Sequence, residues 1–370
     1  MKLSVITAIT IVVFAIGIYG QQPSESETEK LSKEVSSLYQ SGRLNDAIEP
    51  SEKIVEIERR RSLVNYQTLA VALTNLAVLK KESYWALRKE LVGPNIQVDV
   101  LRQGQERLSS LLSGSVVSYL EARDIYEQQL HQKDIALSRI DFNLADMFVR
   151  LPGAIRYDDR KRKLDVTELY YDALAIQRKL LGSTNDETLA TMLGVADYLR
   201  LNAELEKSLE LYQEFISTVG GKYGETSQLL LSTLRAVAKI YVCIGDSEGI
   251  ARSLAQISRI TGRSEAAPTA DIDLTSRSKE DHVKKMIEDP KTAFEGRKTQ
   301  KSLAVTVTID ENGKVIEVIP PDFQQKDIFG KEIGSNAEKE MRKWNFRPFV
   351  LAGHGYKMKG VVWFPYILKG

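Results

Sequence analysis

The side chains that most often do chemistry are few in this chain and far apart. The single cysteine, Cys243, lies in the apolar run AKIYVCIG, where a thiol behaves as a small buried hydrophobe. It rules out an internal disulfide and a cysteine cluster for a metal. The three histidines, His131, His282 and His354, never approach ligand spacing. No GxSxG elbow, phosphate loop, dinucleotide fingerprint or HExxH motif is present. The paired glycines at 220 and 221 suit a helix C-terminus better than a phosphate cradle. The sequence thus gives no catalytic residue, metal ligand or cofactor site, and it argues against an enzyme. Binding through amide side chains and main-chain groups is the chemistry left to it.

The elements that would position such groups come next. At 370 residues, 43% hydrophobic and 27% charged, the chain can hold two or three domains with cores. A net charge of +1, from 51 basic and 50 acidic residues, supplies no bulk field for nucleic acid or an anionic membrane. The first 20 residues read as an export signal: Lys2, the uncharged run LSVITAITIVVFAIGIY, and then the polar GQQPSESETEK. The alternative is an uncleaved anchor, since about 17 apolar residues reach the short limit of a membrane span. An exported chain without disulfides points to a bacterial periplasm, with inner-membrane anchoring facing the periplasm as the alternative.

A repeat emerges when the chain is shifted by 42 residues against itself: Tyr170 falls on Tyr212, Gly182 on Gly224, Leu189 on Leu231 and Ala196 on Ala238. Apolar residues at steps of three and four, Leu189, Leu193, Ala196 and Leu199, then Leu205, Leu209, Tyr212 and Ile216, give each helix one stripe to bury. Weaker copies place Asn75-Leu76-Ala77 and Asn143-Leu144-Ala145 at the equivalent position, and the Gly42 turn is followed by Ala47. These features resemble the tetratricopeptide repeat family in the 42-residue form of kinesin light chains. That resemblance implies an α-solenoid of helix hairpins over residues 24–260, with a concave groove that binds a protein or peptide. Asn75 and Asn143, on the first helices of their pairs, are the groove candidates, because an amide can grip an extended backbone. Residues 83–137 depart from the pattern around Gly93-Pro94 and are expected to form an irregular insertion.

Residues 261–279 are polar, small and proline-containing, and read as an exposed linker. In 280–370 the period changes from 3.6 to 2. Leu303, Val305, Val307 and Ile309 alternate with smaller residues up to an Asn312-Gly313 turn. Ser335 or Asn336 can cap a helix, and the run after Trp344 suggests two further strands about Gly353-His354-Gly355. The expected order is a small α+β domain, strand-strand-helix-strand-strand. With Asp310, Gly313 and Val315 at the first turn, Ala337 on the helix, Trp344-x-Phe346-x-Pro348 and Gly353, this part is similar to the C-terminal domain of TonB, the energy transducer of Gram-negative bacteria. Trp344 and Phe346 share a face, which suits packing in a core. The resemblance implies that the last strand, Val361, Val362, Trp363, Phe364, Pro365 and Tyr366, offers an open edge to which a segment of a TonB-dependent outer-membrane receptor adds as another strand. Lys357 and Lys359 would restrain indiscriminate pairing there.

The leading expectation is a periplasmic scaffold, with repeats holding one partner and the small domain a receptor or envelope segment. A membrane-anchored transducer for outer-membrane transport is the alternative, although only 10 prolines leave no proline-rich spacer. A further reading has the C-terminal domain merely packed against the repeats.

Overall fold

The computed structural model describes residues 26–92, 97–151, 164–278, 299–321 and 332–368, and it divides into two compact units, Met1–Thr191 and Met192–Gly370. The export segment at 1–20, the Gly93-Pro94 break, His282 and the stretch 280–298 lie outside the described residues. No helix among the described residues is long and apolar enough to cross a membrane.

The first unit is built of helices: α1 (Glu27–Gln40), α2 (Ile48–Arg60), α3 (Tyr66–Glu90), α4 (Val98–Asp124), α5 (Ile135–Arg150), α6 (Val166–Leu181) and the start of α7 (Asp186–Leu201). Their beginnings are written in the sequence. The side chains of Ser26, Asn65, Asp134 and Asp165 each accept a hydrogen bond from a backbone N–H of the first turn, satisfying donors that the helix itself leaves unpaired. Neighbours in sequence pack against one another from α1 to α6. Small residues bring α3 and α4 close enough for Ser115 Oγ on α4 to donate to the Ala77 carbonyl at 2.8 Å. Within the expected irregular insertion at 83–137, a π-helical turn at Ile125–Gln129 and His131 at φ 51° are irregular, while most of the rest of the described part is regular helix. α3 runs on for 25 residues and α4 for 27, and the two pair as one long hairpin. Eight of the eleven residues 80–90, KKESYWALRKE, are good helix formers.

In the second unit α8 (Leu205–Tyr223) and α10 (Ser247–Thr261) start one 42-residue period apart, and α9 (Leu231–Ile244) lies between them. The period extends to the backbone: Gly182 and Gly224 end α6 and α8 with φ 85°, ψ 159° and φ 87°, ψ 152°. Tyr170, Tyr212, Ala196 and Ala238 are all buried.

The C-terminal sheet has the order β2-β1-β5, from β1 (Thr299–Ile309), β2 (Val315–Ile319) and β5 (Met358–Leu368), with β3 (Phe349–Leu351) and β4 (His354–Tyr356) as a separate hairpin. β1 pairs antiparallel with β2 through the Asn312-Gly313 turn, and with β5 from Thr299↔Leu368 to Ile309↔Met358. Leu303, Val305, Val307 and Ile309 are buried with Val362 and Phe364, and Trp344 stacks 6.3 Å from Phe346 and 6.3 Å from Phe364. Two details differ from expectation. α11 (Ile333–Met341) is flanked by Glu332 as N-cap, so Ser335 and Asn336 lie inside its first turn. The chain also makes three strands after α11: Ala352 and Gly353, at φ 49° and 81°, turn β3 into β4, and β5 then leaves the hairpin to pair with β1.

Candidate functional site

Between α1, α2 and α3 of the first unit lies a cavity of about 310 Å³. α1 lines it with Glu29, Ser32, Lys33 and Ser36, and α3 with Thr68, Val71, Ala72 and Asn75. Both sets follow the i, i+3, i+4, i+7 spacing that puts residues on one helix face. α2 closes the cavity with Ser51 and Ile54. One wall is therefore polar and carries the Glu29–Lys33 ion pair at 3.9 Å, while the facing wall mixes apolar Ile54, Val71 and Ala72 with polar Ser51, Thr68 and Asn75. Two polar groups stand out. Ser51 is 4% exposed and its hydroxyl has no hydrogen-bond partner among the described residues. Asn75, on α3, is half-buried with its amide on the lining. A buried polar atom without a partner costs about 1–3 kcal/mol, so the Ser51 hydroxyl favours an occupant that brings a donor or acceptor, and the half-buried Asn75 amide can join that contact.

Asn143, the other amide candidate, is engaged within the unit. Its Oδ1 accepts from Lys81 Nζ at 2.6 Å and its Nδ2 donates to the Arg139 carbonyl at 2.7 Å, tying α5 to α3. The structure puts Asn75 on the cavity wall, and gives Asn143 a helix-bridging role instead.

At the proposed strand edge, Val362, Phe364, Pro365 and Tyr366 are buried, and Trp363 is 45% exposed. The edge is occupied by the chain itself. Val361 N–H donates to the Ile272 carbonyl at 2.9 Å, Leu274 N–H donates to the Val361 carbonyl at 2.7 Å, and Asp273 faces Val361 in a parallel bridge. Trp363 N–H donates to Thr275 Oγ1 at 3.0 Å. Strand alternation turns the main-chain groups of residues 361, 363 and 365 away from β1, and Pro365 has no N–H to give. Both edge donors between Val361 and Tyr366 are thus already used.

The segment that uses them is the one read as an exposed linker. It follows α9: Arg235 pairs with Glu265, Lys239 Nζ lies 3.0 Å from Asp271, and Cys243 Sγ accepts from the Ile272 N–H. These three α9 residues are four apart and form one stripe. Burial pushes the Cys243 thiol up to about 11, which suits a packing role. Beyond the strap, Arg277 is 2% exposed. Its guanidinium donates to both carboxylate oxygens of Glu206 at 2.8 and 2.9 Å, and to the carbonyls of Ala203, Arg347 and Pro348. Glu206 also accepts from Val350 N–H at 3.2 Å. Desolvation raises the Glu206 carboxyl, but the bonds and charge of Arg277 outweigh it and hold the group below its ordinary value. Nothing in the sequence singled out Arg277, one of 51 basic residues in a polar stretch.

No protein-family model matches the chain, and no curated protein matches it. Among solved structures the chain is similar to the nearly identical TPR-like repeats of a kinesin light chain from Podosopora anserina, at 16% identity over 64% of this chain and 97% of that one, with a TM-score of 0.46. It is also similar to BtubC (BKLC) from P. vanneervenii, at 14% identity over 66% of this chain and 86% of that one, with a TM-score of 0.45.

Proposed function

We propose that the protein is a protein-interaction scaffold that holds an extended polypeptide segment between α1 and α3. The observation that carries this reading is the cavity with the unpartnered, buried Ser51 hydroxyl on its wall and the half-buried Asn75 amide lining it. A peptide supplies partners for those groups: carbonyl and N–H groups for Asn75 and Ser51, and an aliphatic side chain for Ile54, Val71 and Ala72. Panning a random peptide library against the full-length chain tests it. Selected peptides are expected to lose at least about tenfold in affinity for Asn75→Ala and for Ser51→Val. Peptides indifferent to both substitutions would place binding elsewhere and overturn the reading.

The location we infer is the periplasm, from the charged start, apolar run and polar sequel of the first residues. N-terminal sequencing of periplasmic and inner-membrane fractions tests this. A chain beginning near Gln21 in the soluble fraction supports an exported scaffold; one beginning at Met1 in the membrane supports the anchored transducer. For the C-terminal domain the occupied β5 edge favours packing against the repeats over standing receptor binding of the TonB kind.

A further inference from the structure

Several helical hydroxyls of the first unit are spent on their own helix. Ser32 donates to the Thr28 carbonyl at 2.7 Å, Thr74 to Ala70 at 2.8 Å and Ser138 to Ile135 at 2.8 Å, the back-bond that a hydroxyl inside a helix often makes. Ser51 departs from this. It lies in α2, 4% exposed, and its hydroxyl has no partner among the described residues and lines the cavity. A buried hydroxyl left free on a cavity wall marks the point that an occupant gains by reaching.

The lining defines what reaches it. Asn75 is half-buried and Ser51 buried, so a main chain held at Asn75 meets Ser51 only through a side chain. Ile54, Val71 and Ala72 offer apolar contact to the stem of that side chain. The two charged residues of the lining, Glu29 and Lys33, are 47% and 69% exposed and pair with each other, so a charged tip would find no buried counter-charge. Because the Ser32 proton goes to Thr28, the Ser32 oxygen is left to accept, while Ser51 is free to donate. An uncharged tip that accepts at one atom and donates at another suits both, and a carboxamide is that group. At about 310 Å³ the cavity lies at the small end of ligand pockets, with room for one long side chain.

We propose that the cavity is a carboxamide pocket that takes a glutamine side chain of the bound segment. Its methylenes lie on Ile54, Val71 and Ala72, its carbonyl accepts from Ser51 and its amide N–H donates to Ser32. This rests on the peptide-binding reading above and adds the residue by which a partner is chosen. A methionine of similar length fills the space but leaves Ser51 stranded, and a site built to hydrogen-bond discriminates against a ligand that cannot.

The test uses the full-length chain and peptides selected on it from a random library. Each glutamine of a selected peptide is changed to methionine, and affinities are measured for wild type and Ser51→Ala. The change is expected to cost about tenfold or more on wild type and less than about twofold on Ser51→Ala, a coupling that the double-mutant cycle isolates. Ser51→Ala is expected to keep the wild-type Tm, because its hydroxyl makes no bond in the free chain; a lower Tm would make the hydroxyl a structural one and overturn the proposal. Peptides that weaken with Asn75→Ala yet carry no glutamine, or that lose equally on both proteins, would overturn it while leaving the peptide-binding reading in place. Peptides indifferent to both Asn75→Ala and Ser51→Ala, or a library that yields no binder, would overturn the two together.

Discussion

Ala203 and Gly245 hold the same place in successive hairpins, one 42-residue period apart, and both are left-handed, at φ 54° and φ 72°. Such a backbone costs a residue with a Cβ about 1–2 kcal/mol, yet Ala203 keeps it, with its carbonyl turned to Arg277 Nη1 at 2.6 Å. Gly245→Ala should therefore lower stability by about 1 kcal/mol, read as a fall in Tm. Ala203→Gly relieves strain but loosens the unfolded chain and removes a buried methyl, so its Tm should stay close to wild type. A second residue-scale prediction concerns Asp141, 1% exposed and accepting from Arg123 Nε at 2.7 Å. Burial pushes its carboxyl up to about 6, against the pull of Arg123. A folded value above the unfolded one means that this group's stabilisation is complete below pH 3.8 and is lost as pH rises through about 6. Tm measured from pH 4 to 7 should show that loss in wild type, and Asp141→Asn should remove it. At this scale the sequence was readable where a residue type answers a backbone demand, as at the helix caps and at Gly182 and Gly224. It was less readable for Asn75 and Asn143, alike in context but separated by one partner: Lys81 reaches Asn143. Ser51 gave no signal, since a small hydroxyl in a helix carries no mark of its burial.

Among the elements, the paired helices and the β1–β2 hairpin followed from periodicity, because their burial imposes a spacing on side chains. The strap did not. Its polar, small residues have the composition of a linker, and its bonds to β5 are made by main-chain atoms and Thr275, which no hydrophobic pattern encodes. Arg277 shows how much such an element can depend on one residue. Five hydrogen bonds leave its guanidinium satisfied on every side, so Arg277→Met would strand Glu206 and three carbonyls. Breaking a buried ion pair from one side costs about 3–5 kcal/mol. Arg277→Lys should recover little of it, because an ammonium cannot reproduce the planar fork. The clasp also sets an acid limit. Glu206 is held below its ordinary 4.5 in the folded chain, so its stabilisation is present above that pH and is lost as pH falls through the lower folded value. Thermal melts between pH 3 and 6 should show this acid decline in wild type and a shallower one in Glu206→Gln.

For the molecule as a whole, the question is what a sheet does at the end of a set of helical hairpins. α9 supplies an answer. Eight of its 14 residues are buried, Thr233, Leu234, Val237, Ala238, Ile240, Tyr241, Cys243 and Ile244, more than the single stripe that suits a helix covered on one side. α8 and α10 cover part of that surface, and β5 with the strap covers another. Stacked hairpins expose an apolar face at their last member unless a cap closes it, and the sheet with its strap has the position of such a cap. Ending the chain after Gly262 would uncover the side of α9 around Cys243 and leave the Glu206 carboxylate without Arg277. The truncated protein should melt at a lower temperature and self-associate through the bared surface, seen as a concentration-dependent mass in light scattering, while Cys243 becomes reactive. A truncated chain that stays monomeric with the wild-type Tm would show that the repeats need no cap and that the sheet is attached for binding alone.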